Sequence, residues 1–259
     1  MGCDIHLFSE VKRNGKWEPA VPFVLADWWY DTIIDEEDCE YDTPKYRIRE
    51  KEFENMSEEE VFEKYGDDPR ICWDYPLDRS LGNRNYCFFS ILADVRNGRG
   101  FAGVDTGDGF NPISEPRGLP EDVSIEVKRQ FDHYGIDGHS HSYITLKELL
   151  EYDWEQTTTH RGVIDEKEYT RMITANSNSP RYWSGMTYGP TVEQISLADM
   201  KDLIDGKFQR DSSKDYVTKF GWDETYRESV GEDYLEELCT ELSHYGDPED
   251  VRIVFFFDN

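Results

Sequence analysis

Basic residues are scarce in this chain. Its 259 residues hold 28 Lys and Arg against 56 Asp and Glu, a formal net charge of −28. A phosphate backbone is met by a basic face, so this balance argues against general nucleic-acid binding. Long apolar runs are missing too, and none approaches the ~20 residues of a membrane-spanning helix. Cysteine numbers only five, an odd count, and no Cys-x-x-Cys pair occurs. Reduced thiols in a cytoplasm are therefore expected, rather than a disulfide framework. Met1-Gly2-Cys3-Asp4 offers no basic-then-apolar leader. It also misses the myristoylation pattern, because position 6 is His6 instead of Ser or Thr. No internal repeat and no clear linker divides the chain.

Aromatic residues are plentiful instead. Seven Trp, 16 Tyr and 14 Phe suffice for a sizeable core, which disordered chains lack. Residues 5–11 read as a strand, Asn14-Gly15 as a hairpin turn and residues 16–20 as the return strand. Residues 251–257, VRIVFFF, are rich in β-formers and are expected beside that hairpin. Ser57-x-x-Glu60 is a capping box for a short helix to Tyr65. Residues 86–95, YCFFSILADV, form a helix apolar nearly all round, with Asn85 at its start and Gly98 suited to its end. Further helices are expected over 120–134, from Thr145-x-x-Glu148 onward, and over 165–175, 197–204 and 233–245. The fold class that follows is α+β: a single domain over 1–259, its antiparallel or mixed sheet built from both chain ends and covered by several helices.

Three constellations carry chemistry. Gly138-His139-Ser140-His141, with Asp137 before it, places two imidazoles on the same side of an extended segment. Asp4 and His6 complete a metal-ligand set if the two strands adjoin, and Zn or Mn suits such donors. The same residues also suit turn chemistry. The second constellation lies in residues 71–118, which hold five Arg, no Lys and six acids. There Arg84, Arg96 and Arg99, with Asn85 and a glycine-rich loop at 97–109, offer forks for phosphate or carboxylate. The competing use of Arg84 and Arg96 is pairing with Asp94, Asp105 or Asp108. The third is a polar and aromatic loop at 176–191, where Tyr182, Trp183 and Tyr188 offer rings to stack a base or to pack on the core.

Asp4-Ile5-His6, Gly66-Asp67, Gly82-Asn83 and Gly138-His139-Ser140-His141 are similar to the motif order of calcineurin-like metallophosphoesterases. The pattern breaks at Arg70, where that family has Asp, and at Arg84, where it has His. A broader resemblance joins MGCDIH, GNRNYCFFSILADVRN, RGLPEDVS, DGHSHSYITLKEL and VRIVFFFDN. Together they resemble a family of bacteriophage and prophage proteins that begin MGCDIH. That resemblance implies an accessory protein made in the cytoplasm of an infected bacterium, for host takeover or counter-defence.

Three functions are expected from these readings. The first is binding of a small phosphorylated ligand, such as a nucleotide or a nucleotide signal of host immunity. The second is metal-dependent hydrolysis at the His cluster, where a bound ion would supply hydroxide near neutral pH. The third is an acidic decoy for a DNA-binding host protein. Residues 31–70 carry 16 acids against 6 bases, and residues 221–259 carry 12 against 2. Partners are thus a small ligand or a host defence protein, with neither nucleic acid nor membrane.

Overall fold

Two φ > 0 residues turn the chain back on itself near its start. Asn14 (φ 51°) and Gly15 (φ 80°) close a two-residue hairpin of the primed type, which matches the twist of the strands it joins. The computed structural model describes residues 4–21, 24–25, 56, 60, 73–74 and 84–258. In chain order the strands are β1 (Asp4–Arg13), β2 (Lys16–Pro19), β3 (Val24–Leu25), β4 (Trp73–Asp74), β5 (His139–Thr145), β6 (Thr157–Asp165), β7 (Val192–Ile195), β8 (Asp215–Thr225) and β9 (Val251–Asp258). The helices are α1 (Tyr86–Ala93), α2 (Ile125–Tyr134), α3 (Leu146–Glu151), α4 (Glu166–Ala175), α5 (Leu197–Ile204), α6 (Tyr226–Val230) and α7 (Glu232–Ser243). The chain is α+β, with strands from both ends in one sheet. No helix among the described residues is long and apolar enough to cross a membrane. The expected Ser57–Tyr65 helix lies outside the described residues, apart from Glu60.

Contacts along the chain gather into two compact units. One draws on Gly2–Arg84, Pro116–Leu150 and Leu238–Asn259, and its sheet has the order β2-β1-β9-β5. β9 pairs antiparallel with β1 from Val11↔Val251 to Asp4↔Asp258, and with β5 on its other side. As a central strand it is buried on both faces from Val251 to Phe257. The one cation in that run, Arg252, is matched by a fully buried acid. Its Nε donates to Glu10 Oε2 (2.7 Å) and its Nη1 to Asp122 Oδ1 (2.8 Å), while its guanidinium lies 4.0 Å from the Trp17 ring.

The other unit draws on Asn85–Glu115 and Glu151–Glu237, with the sheet order β6-β8-β7. β6 and β8 are antiparallel, and β7 joins β8 in parallel. α1 is its buried helix: Asn85 Oδ1 accepts the Phe88 amide (3.1 Å), and every residue from Phe88 to Ala93 is buried. It ends at Asp94 rather than near Gly98. Asp94 adopts the left-handed conformation (φ 58°) that Asp tolerates, and its amide closes on Ser90 O. Helix starts elsewhere follow their caps. α2 begins at Ile125 behind its Ser124 cap, five residues later than Pro120 suggested, while α4 and α5 begin within one residue of the expected starts, capped by Asp165 and Ser196. The expected box at Thr145 forms, its hydroxyl accepting the Glu148 amide (3.2 Å) and Glu148 Oε2 accepting the Thr145 amide (2.9 Å).

Candidate functional site

The histidines expected to share a metal are divided by the sheet. β1 and β5 do not adjoin, because β9 lies between them. Their Cα positions are then about 10 Å apart, twice the strand spacing. The Phe256 ring takes up the space: His6 stacks on it at 4.6 Å and His141 contacts it at 5.8 Å. His139 and His141 do not share a side either. Ser140 has φ 51°, the register shifts between His139 and Ser142, and the His139 ring lies along Phe257, whose side chain leaves β9 on the face opposite Phe256. The equal-side expectation for i and i+2 holds only for a regular strand, and this one is bulged. Asp137 is exposed in the turn before β5. Asp4 is gripped by Arg84, with Nη2 donating to Oδ2 (3.0 Å) and Nε to Oδ1. That fork holds the Asp4 carboxyl below its usual range.

His6 Nε2 lies 3.3 Å from Asp258 Oδ2. Burial above all pushes the His6 imidazole below its ordinary value, against the opposing pull of Asp258 and Asp4. His141 is lowered too, by burial first and then by His139. Among the described residues, no three His, Cys, Asp or Glu side chains converge to hold a metal ion.

The arginines chosen from sequence differ in what they meet. Arg84 faces Asp4, in the unit of the terminal sheet. Asn85 spends its side chain on the α1 cap and on Val230 O (2.7 Å). Arg96 lies over the Tyr86 ring at 4.9 Å, and Arg99 pairs its backbone with Asp105. The glycine-rich loop does not present a row of free amides. Gly100 N donates to Val104 O, Thr106 N to Gly98 O, Gly107 N to Asp105 Oδ1, and Asp108 N to Thr159 O. Of the aromatic loop, Tyr182 and Tyr188 stand 76% and 74% exposed. Trp183 covers Gly162 and meets Trp222 edge-on at 5.3 Å.

A cleft does form on the outward face of β6 and β8. Alternation sends Thr158, His160 and Ile164 of β6, with Tyr216, Thr218 and Trp222 of β8, into the buried side. Thr159, Arg161, Lys219 and Gly221 are left on the other face. The cleft has a volume of about 410 Å³, walled by Val104 and Asp105 of the glycine-rich loop and by Gly185 of the aromatic loop. Both loops are fastened to the edge of β6. Arg161 N donates to Thr106 O (2.9 Å), and Val163 and Ser184 exchange two backbone bonds (2.8 and 3.0 Å). They thus cover an edge that would otherwise be open to pairing. Gly107 has φ 149°, and a Cβ there would stand 2.4 Å from Thr159 O, so only glycine permits this approach.

The charges in the cleft are specific. Arg161 Nη1 lies 3.2 Å from Asp105 Oδ1, and Nη2 bonds Asp108 Oδ1. The Asp105 carboxyl is held below its ordinary range, first by the Gly107 amide and then by Arg161. Lys219 is exposed, and its ammonium has no ion-pair partner among the described residues. Arg161 and Lys219 were not singled out by sequence reasoning. The signal was the alternation of residues 215–223, which puts Tyr216, Thr218 and Trp222 inward and therefore Lys219 and Gly221 outward. Compared with protein-family models, curated proteins and solved structures, the chain gives no significant match.

Proposed function

We propose that the protein binds a small phosphorylated ligand, a nucleotide or nucleotide signal, in the cleft on β6 and β8. The observation that carries this reading is Lys219. In a chain with twice as many acids as bases, an exposed lysine without an acidic partner among the described residues stands over a cleft opened by Gly185 and Gly221. Arg161 adds a fork suited to phosphate. Glycine at these positions lets a ligand approach the backbone. The phage resemblance of the MGCDIH segments supports a role in host takeover or counter-defence, where such a ligand would be captured.

Calorimetric titration with the four ribonucleoside 5′-monophosphates and with cyclic dinucleotides tests it. Saturable binding of one of them is expected, weakened about tenfold in Lys219→Ala, as the loss of one charge-assisted contact implies. Binding that is absent, or unchanged in a folded Lys219→Ala, would sink the proposal. Titration with Zn²⁺ and Mn²⁺ alongside tests the metal reading, for which His6 and Asp258 are paired donors.

The acidic-decoy reading has one supporting observation. Glu232, Asp233, Glu236, Glu237 and Glu241 are all exposed on α7. Carboxylate pairs four residues apart are spaced about 6 Å along a helix. Salt-sensitive binding to a basic DNA-binding protein of the host, lost when these residues become amides, is its expected outcome.

A further inference from the structure

We infer that the cleft selects phosphomonoester dianions over phosphodiesters, and that Asp105 and Asp108 set this selection through Arg161. The inference rests on the proposed phosphate-binding reading and goes on to name the ligand's charge state.

Arg161 is already occupied. Its guanidinium touches Asp105 through Nη1 and Asp108 through Nη2, one contact to each carboxylate. The loop that carries both acids is held in place. Asp105 Oδ1 also accepts the Gly107 amide (3.0 Å), and the Asp108 amide is tied to Thr159 O (2.9 Å). Between them Gly107 is pressed against β6 where no side chain fits. The two carboxylates therefore flank the fork as competitors for any anion that enters.

Both acids are exposed, at 67% and 58% of their side chains, and single contacts at such exposure are weak. A ligand can displace them, but it must then supply the charge that two carboxylates supplied. A diester brings one charge and two free oxygens. A monoester dianion brings two charges and three oxygens, enough for a bidentate grip on Arg161 with one oxygen left for Lys219.

The strand register places the two cations for this. Arg161 pairs with Gly221, and Val163 pairs with Lys219. Arg161 and Lys219 are thus diagonal neighbours on one face, roughly 7–8 Å apart at Cα, which two long side chains span easily. Gly221 leaves the space between them open. The reach fits a single terminal phosphate held from two sides.

The test compares each ribonucleoside 5′-monophosphate with its own 5′-methyl diester at pH 8, in the full-length protein. The monoester is expected to bind about tenfold tighter or more. In Asp105→Asn/Asp108→Asn the gap narrows, because the diester gains affinity once Arg161 is released. In Arg161→Gln the preference disappears, while the weaker contact to Lys219 persists. Far-ultraviolet dichroism and the thermal midpoint establish that each variant is folded. Equal affinities in the native protein, or a ratio unchanged in the double variant, would overturn the inference. Tight binding of cyclic dinucleotides alone would overturn it and leave the phosphate-binding reading standing. Binding of neither class overturns both.

Discussion

Glu10 and Arg252 show what a single buried charge demands. Glu10 is wholly buried and Arg252 is 3% exposed, so each depends on the other. Glu10 also accepts the Ser124 amide (2.7 Å), which ties the cap of α2 to β1. Removing Glu10 leaves the buried Arg252 with only the exposed Asp122 carboxylate, at a cost approaching the roughly 3–5 kcal/mol of a broken buried pair. Glu10→Gln is expected to lower the urea midpoint accordingly, and a loss under about 1 kcal/mol would contradict the pairing. Glu148 makes a pH prediction. Burial alone would raise its carboxyl, but Arg117 and the Thr145 donors outweigh that and hold it at about 2. A carboxyl depressed in the folded state stabilises above its unfolded value of 4.5 and loses that contribution as pH falls toward 2. The stability gap between the native protein and Glu148→Gln should therefore be largest near pH 6 and shrink toward pH 2.5.

At the level of elements, the cleft depends on how the glycine-rich loop seats against β6. Gly107→Ala forces a Cβ into Thr159 O and imposes φ 149° on a residue that rarely adopts it. The expected cost is about 1–3 kcal/mol. Faster amide exchange at Thr106 and Asp108 should accompany it, and unchanged exchange would mean that the loop is held by other means. The cap of α1 is a milder case. Asn85→Ala removes the bond to the Phe88 amide and the one to Val230 O, for about 1–2 kcal/mol by chemical denaturation. Capping signals were legible in the chain because they are local: Asn85 and Thr145 each bond three residues ahead. β6 and β8 were not legible. The inward set of β6 includes His160 and Gly162, which mask an apolar alternation, and its partner β8 lies some sixty residues away.

For the whole molecule, charge is the dominant feature. A net −28 over 259 residues keeps copies apart and also strains the folded state through self-repulsion. Monovalent salt screens charges beyond about 8–10 Å at 0.1–0.15 M. Raising it from about 10 to 200 mM is expected to lift the thermal midpoint by about 2–4 °C, roughly 1 kcal/mol for a chain of this size. A midpoint that falls with salt would mean that favourable ion pairs such as Arg117–Glu148 and Arg210–Glu166 outweigh the repulsion.

The chain's own composition and local pattern determined the α+β class, the Asn14-Gly15 hairpin, the place of VRIVFFF beside that hairpin and most helix starts. Each of these rests on neighbours a few residues apart or on the summed apolar character of a segment. The site was decided by the tertiary structure. Asp4, His6, His139 and His141 look like one ligand set in sequence, yet β9 enters between their strands and a bulge at Ser140 turns His139 to the far face. Arg84, Arg96 and Arg99 look like one cluster, yet Arg84 grips Asp4, Arg96 lies over Tyr86, and Arg99 meets Asp105 through its backbone. Arg161 and Lys219, 58 positions apart, meet on one face only because β6 and β8 pair in a single register. Side-chain periodicity tells which residues share a face of one strand. Which strands adjoin, and in what register, depends on long-range pairing that no short window of sequence contains.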